Sequence, residues 1–355
     1  ELILLFKEEQ FLDKSLTYIN FTTYMQEAII AALNTQTFPN PKVGAVLVDK
    51  FGNIKSTGVH HGPGTNHAEI EIINNSVITE EDTLYVTLEP CFHTDSSPSC
   101  CAELLKTPIK NIVIGDIDID IRTNGKSIEL LKKNNVNITF EKNANLFINP
   151  HYKNQKLSII KPTIIGKIAT SDNNFIYENN SIDKYITNEI SLSVTHYLRS
   201  TVDGIAIGKN TLITDSPKLN IRNSDVSNVT PMKIVFWGSD VNIEKYIDIY
   251  HDFIFLTSFN HSASNIYPLL NGEFNLNNIY SELKINSLLV EGGNYLHKFI
   301  LNNLKYDSFY WFKSSKKITN GNQLSDPILN KLNSEYKVIN KFPLKDNHLT
   351  TYTYI

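Results

Sequence analysis

The chain has 355 residues, a formal net charge of −4, 41% hydrophobic residues and 20% charged residues, which is room for two domains with full cores and an ordinary globular composition. Lys, Arg, Asp and Glu are interspersed with no basic block, which argues against a nucleic-acid surface. No apolar stretch approaches the ~20 residues a membrane helix needs, and three cysteines cannot build a disulfide framework and suit a reducing cytosol.

Residues 1–20 are expected to be an N-terminal extension or a partly trimmed start. The Glu1 to Phe6 run has no basic region ahead of it, so it does not read as a secretory leader. Tyr24-Met25, Ala28-Ile29-Ile30 and Ala32-Leu33 then place apolar residues at helical spacing. Strands are expected over Val43–Val48, Asn53–Val59 and Leu84–Leu88, with a helix starting near His67 between the last two. Pro90 should open the first turn of a further helix, whose N-terminus would favour a thiolate at Cys91. A helix at Cys100–Leu105, a strand at Asn111–Ile114 and a helix near Ser127–Lys132 complete the unit. Strands alternating with helices predict a parallel or mixed sheet covered on both faces. Asn149-Pro150-His151 reads as a turn, and the domain boundary is expected at 155/156.

The chemistry sits at the strand-to-helix junctions of this first unit. His67-Ala68-Glu69 is followed by Pro90-Cys91 and then by Cys100. One imidazole and two thiols suit Zn²⁺ and leave a fourth tetrahedral position open for water. Glu69, two residues from the first ligand, is placed to move protons. This is the H-x-E … P-C … C pattern of the zinc deaminases. No fourth protein ligand lies at zinc-finger spacing, which favours a catalytic zinc over a structural one. Cys101 is expected to be a packing residue, with ligand exchange for Cys100 as the lesser alternative.

After residue 156 the strand candidates are Lys161–Ala169, Gly204–Ile207, Lys233–Phe236, Phe253–Leu256 and Ser287–Val290, again α/β. No G-x-G-x-x-G follows a strand. Gly292-Gly293 after Val290-Glu291 opens a helix over Asn294–Leu301, a turn where backbone can approach an anion. Taken alone, it is more often a packing turn.

Longer motifs carry a resemblance. Asn40-Pro41-Lys42-Val43-Gly44, then Gly58, His60, Gly64 and His67-Ala68-Glu69, then Glu89-Pro90-Cys91-Phe92-His93 with eight residues between Cys91 and Cys100, resemble the deaminase half of the RibD/RibG family of bifunctional riboflavin-biosynthesis enzymes over residues 21–145. Tyr197-Leu198-Arg199, Ala206-Ile207-Gly208, Thr211 to Asp215, Pro217, Leu219, Arg222 and Glu291-Gly292-Gly293 follow the reductase half of the same family over residues 160–355. The resemblance implies a cytidine-deaminase-like three-layer domain (residues 21–155) and a dihydrofolate-reductase-like domain (residues 156–355). It implies His67, Cys91 and Cys100 as zinc ligands, Glu69 as proton shuttle, and Asn40, His60 and His93 as deaminase substrate contacts. In the second domain, Ala169, Tyr185, Gly208, Thr211 and Asp215 would bind NADPH. Asp183, Arg199, Leu219, Arg222 and Glu291 would bind the substrate, the two arginines by its phosphate.

The chain departs from the family pattern at Asp95 and Ser96, at Asp183 and Tyr185 (Ser and Trp in the family), and over Thr170 to Asn174. The implied function is zinc-dependent deamination of a diamino pyrimidine ribosyl phosphate, followed by NADPH-dependent reduction of its ribosyl group. The protein is expected to be cytoplasmic, with a small-molecule substrate and neither nucleic acid nor membrane as partner. A homo-oligomer through the reductase domain is one arrangement the resemblance allows. The alternative is a deaminase of another nucleobase, nucleotide or nucleic acid with a degenerate or purely binding second domain.

Overall fold

The computed structural model describes residues 21–37, 40–93, 99–142, 144–149, 162–179, 185–222, 230–268 and 282–355. It divides into two compact units, one holding a five-stranded sheet and the other a nine-stranded sheet. The expected boundary at 155/156 lies outside the described residues.

The first unit opens with α1 (Thr23–Leu33), capped by the Thr22 hydroxyl, which accepts the Met25 N–H. Met25, Ala28, Ile29, Ala32 and Leu33 are its buried residues, the i, i+3, i+4, i+7, i+8 stripe of a helix packed on one face. The elements that follow are β1 (Gly44–Val48), β2 (Ile54–Val59), α2 (Ala68–Asn75), β3 (Thr83–Val86), α3 (Cys100–Leu104), β4 (Asn111–Ile114), α4 (Lys126–Lys133), β5 (Asn137–Phe140) and α5 (Ala144–Ile148). Strand order is β2-β1-β3-β4-β5, with β1 antiparallel to both neighbours and β3, β4 and β5 parallel. All five residues of β1 are buried, as a central strand covered on both faces requires. α1 and α5 pack together, α3 packs on both α2 and α4, and the sheet lies between the two layers. Ala45 and Leu47 face Ala68, Ile72, Leu104 and Leu131 in one core.

One expectation is corrected here. Pro90 does not open a helix: residues 89–92 are irregular, and the next helix is α3, with Ser99 as its N-cap. The Phe92 N–H donates to the Thr123 hydroxyl and not to a helical carbonyl.

The second unit contains β6 (Thr163–Thr170), β7 (Phe175–Glu178), α6 (Glu189–Ser200), β8 (Gly204–Gly208), α7 (Lys209–Asp215), β9 (Met232–Gly238), α8 (Glu244–Ile249), β10 (Phe253–Thr257), β11 (Ile266–Pro268), β12 (Ser287–Glu291), α9 (Asn294–Asn303), β13 (Ser308–Ser314), β14 (Gly321–Gln323), α10 (Asp326–Glu335), β15 (Tyr336–Leu344) and β16 (Asn347–Tyr354). Its main sheet runs β11-β10-β9-β8-β12-β6-β13-β16-β15. The first seven strands in that order are parallel, and β16 and β15 close the far edge antiparallel. Two buried clusters, one around Leu288, Val290 and Phe309 and the other around Ile205, Leu289 and Phe312, cover its faces. From β6 the chain builds outward through β8 to β11, then returns to insert β12 between β8 and β6. That reversal is a topological switch point, and open α/β sheets carry their sites at the carboxyl ends of the strands there. Glu291, Gly208 and Thr170 are the last residues of these three strands.

Candidate active sites

In the first unit His67 is the N-cap of α2, and Glu69 lies in that helix's first turn. Gly58 allows this start: a Cβ there would stand 2.2 Å from the Ala68 carbonyl oxygen, so a glycine lets β2 and α2 approach. His67, Cys91 and Cys100 present ligand atoms that all lie within 4.8 Å of one another. His67 Nδ1 is 3.2 Å from Cys100 Sγ and 3.5 Å from Cys91 Sγ. The donor set of one imidazole and two sulfurs, drawn from three elements onto one point, fits a zinc ion.

The electrostatics fit as well. Cys91 is held down to about 4 by its hydrogen bond with Cys100, against burial, and by His67. A backbone N–H also supports the thiolate, but it is that of Cys100, 3.2 Å from Cys91 Sγ, and not that of a helix after Pro90. Cys100 is pushed up by Cys91 and by burial, because two adjacent thiolates repel until a cation is shared. Glu69, almost wholly buried, is raised to about 7, first by burial and then by the Cys91 charge.

His60 is buried, and its pKa is lowered chiefly by burial. Its Nδ1–H donates to the Asn66 carbonyl (3.0 Å), which leaves Nε2 to accept from Asn40 Nδ2 (2.9 Å). The ring meets His67 edge-on, with centroids 4.9 Å apart. Asn40, His60 and His67 are thus one connected group. His93 Nδ1 lies 3.1 Å from the Thr123 hydroxyl. Cys101 packs in the core with its thiol raised by burial to about 11, as expected of a packing residue. Asp95 and Ser96 lie outside the described residues.

In the second unit the expected residues gather unevenly. Arg199 and Glu291 form a bidentate pair, Nε to Oε1 at 2.6 Å and Nη2 to Oε2 at 3.0 Å. Arg199 Nη1 also donates to the Asn220 carbonyl at 3.0 Å. The forked donors expected to face a phosphate are therefore turned to Glu291 and the 216–222 loop. Arg222 is exposed, and its Nη2 donates to the Tyr185 hydroxyl at 3.3 Å. Tyr185, expected at the cofactor, thus stands with Arg222, expected at the substrate. Leu219 is buried with φ of 48°. Thr211 and Asp215 lie four residues apart on α7, on one face, directly after Gly208. Ala169 ends the same face of β6 as Lys167. Asp183 lies outside the described residues.

Several members of these sites were not read from the sequence. Lys167 is partly buried, with Nζ 3.5 Å from Glu291 Oε2, and desolvation lowers its pKa. His196, one helical turn before Arg199, accepts the Arg222 backbone N–H at Nδ1 (3.2 Å). Burial, then Arg199 and Arg222, hold it down to about 4. Glu89, directly before Pro90-Cys91, is buried and accepts from Asp118 N–H, Gly125 N–H and Ser127 Oγ at 3.1, 2.9 and 2.6 Å. The i, i+3 spacing of His196 and Arg199 was the available signal for one of them. Glu89 stood in the Glu89-Pro90-Cys91 motif without a role of its own, and Lys167 had no signal beyond its strand.

A zinc-ligand cluster between the strands and helices of a mixed five-stranded sheet defines a cytidine-deaminase-like domain, and it is followed in the chain by an α/β domain on a mostly parallel nine-stranded sheet with a charged switch point. The cytidine and deoxycytidylate deaminase zinc-binding region matches residues 20–116. The diaminohydroxyphosphoribosylamino-pyrimidine deaminase of Buchnera aphidicola subsp. Schizaphis graminum is 37% identical over 103 residues, 29% of this chain and 69% of that protein. The riboflavin biosynthesis protein RibD of Aquifex aeolicus is 28% identical over 349 residues, 90% of this chain and 93% of that protein. In other RibD relatives the match spans little more than half their length, 55% for that of Buchnera aphidicola subsp. Baizongia pistaciae. The same fold is seen in the deaminase/reductase structure from Thermotoga maritima, with a TM-score of 0.70, 24% identity, and coverage of 94% of this chain and 98% of that one. The chain belongs to the RibD family.

Proposed function

We propose that the chain is a bifunctional enzyme of riboflavin synthesis. It removes an amino group hydrolytically from 2,5-diamino-6-ribosylamino-4(3H)-pyrimidinone 5′-phosphate, then reduces the ribosyl group to ribityl with NADPH. The observation that carries the first step is the buried Glu69 beside the His67, Cys91 and Cys100 cluster. Bound zinc supplies a Lewis acid that makes water nucleophilic near neutral pH. Glu69, poised at about 7, takes a proton from the attacking water and returns it to the departing amine. Glu89 ties the 116–127 loop to the Cys91 segment, and the Asn40–His60 pair is placed to orient the pyrimidine.

For the second step, β8 and β12 are adjacent parallel strands that both end in glycine turns, Gly208 and Gly292-Gly293. Such turns let a dinucleotide approach the backbone, and Thr211 and Asp215 present a polar face beside Gly208. NADPH there supplies the hydride. Lys167, Arg199 and Glu291 together leave one net positive charge, and Arg222 adds another, which suits a phosphorylated substrate.

Among the described residues no helix is long and apolar enough to cross a membrane. Our reading is a cytoplasmic enzyme acting on a small molecule, without nucleic acid, and able to self-associate through its reductase domain. The test feeds the diamino pyrimidine ribosyl phosphate to the purified protein and follows ammonia release and NADPH oxidation together. Ammonia without NADPH oxidation would remove the reductase half of the proposal; no ammonia would remove the deaminase half, and NADPH oxidation with the deaminated pyrimidine would then decide the reductase half.

A further inference from the structure

Thr123 has no part in either step above, yet its side chain is fully buried and reaches the segment that carries Cys91. Its Oγ1 accepts the Phe92 N–H at 3.2 Å and lies 3.1 Å from His93 Nδ1. The loop that delivers it is fixed from several sides. Glu89 binds two of its N–H groups and the Ser127 hydroxyl. The Thr123 N–H donates to the Asp120 carbonyl at 2.8 Å, and its carbonyl accepts from Lys126 at 2.7 Å.

A hydroxyl has one proton and two lone pairs, and one lone pair here is taken by Phe92. A buried hydroxyl proton without an acceptor is costly. Among the described residues His93 Nδ1 is the acceptor within reach. Were Nδ1 itself protonated, Oγ1 would receive two N–H donors and its own proton would be stranded. We infer that Thr123 is a positioning residue that fixes His93 as the Nε2–H tautomer. Towards the deaminase substrate the His93 ring is then a hydrogen-bond donor only, the polarity that suits a carbonyl or phosphate oxygen and not an amino group. Only this last consequence rests on the function proposed above; the tautomer follows from the hydrogen-bond geometry.

The test uses full-length, zinc-loaded protein labelled with ¹⁵N-histidine in alkaline buffer, where long-range proton–nitrogen correlations separate the tautomers. His93→Asn identifies the His93 signals by their loss. The expected pattern is a protonated Nε2 and a bare Nδ1, and the reverse pattern overturns the inference. Thr123→Ser should keep that pattern and a near wild-type kcat/KM for ammonia release. Thr123→Val should lose the single-tautomer signature and roughly tenfold in kcat/KM, mostly through KM, with zinc content unchanged. A Val variant with wild-type kcat/KM overturns the positioning role. If it loses zinc instead, the wild-type and Ser spectra still decide the tautomer. If wild-type protein releases no ammonia from the pyrimidine phosphate, the functional reading fails while the spectrum stands.

Discussion

Glu291 and Arg199 close a bidentate pair, 2.6 and 3.0 Å long, in which neither side chain is more than about one-eighth exposed. Lys167 shares the same carboxylate, so three charged groups from β6, α6 and β12 meet at the switch point. A buried pair of this kind is a weak source of net stability, but breaking one partner strands the others. The cluster therefore fixes the positions of its three charges at the switch point more than it holds the sheet together.

Glu291→Gln should destabilise the second unit, and the deficit should depend on pH. Lys167 and Arg199 outweigh burial and hold the carboxyl down to about 2, against 4.5 for the unperturbed group. A depressed carboxyl contributes stability that is complete above the unfolded value and is lost as pH falls through the folded one. The wild-type advantage should therefore be on the order of 3 kcal/mol at neutral pH and shrink between about pH 4.5 and 2. Both tryptophans, Trp237 and Trp311, lie in the nine-stranded sheet, so their fluorescence reports unfolding of this unit. A deficit that does not change with pH would mean that the ion pair is not its cause.

Zinc should be present at one ion per chain. Cys91→Ser and Cys100→Ser each replace a soft thiolate by a poor ligand, and should lose both metal and ammonia release. Glu69→Gln should keep the metal and abolish turnover, because a carboxamide cannot accept the proton. Metal analysis beside an ammonia assay separates the two classes, and active protein free of transition metal would dismiss the cluster as a zinc site.

Arg222→Ala should weaken reduction and leave ammonia release intact. A charge-assisted phosphate contact corresponds to about ten- to a hundredfold in affinity. The loss in KM should shrink for the dephosphorylated substrate, where the guanidinium has nothing to hold. Equal losses with both substrates would assign Arg222 to the support of Tyr185 and His196 instead.

Gly58→Ala should damage only the first unit. The added Cβ would meet the Ala68 carbonyl at 2.2 Å, and backbone cannot yield as a flexible side chain would. A cost of about 1–3 kcal/mol is expected, with a lower zinc occupancy as α2 moves His67 and Glu69. Tryptophan fluorescence should stay at the wild-type level, as should NADPH oxidation when the already deaminated pyrimidine is supplied. Full zinc occupancy and deaminase activity would show that β2 and α2 can separate without consequence.

The periodic and contiguous parts of this protein were legible in its amino-acid order. The stripe of α1 and the apolar runs of β1, β8, β10 and β12 depend only on which faces are buried, and His67-Ala68-Glu69 with Cys91 and Cys100 names its chemistry because zinc selects donor type and spacing. The carboxyl-terminal hairpin β15–β16 escaped notice because strands at and next to the sheet edge, built from Thr, Tyr, Asn and Lys, do not form apolar runs. Tertiary structure decided what each charged or tautomeric group does. No spacing shows that Arg199 spends its fork on Glu291, that Lys167 joins them, or that a threonine thirty residues beyond His93 holds its ring, because those contacts join strands and loops brought together only when the sheets close. The same holds for Glu69: its identity was written in the motif, but its readiness to exchange a proton near neutral pH comes from burial and from the Cys91 charge beside it.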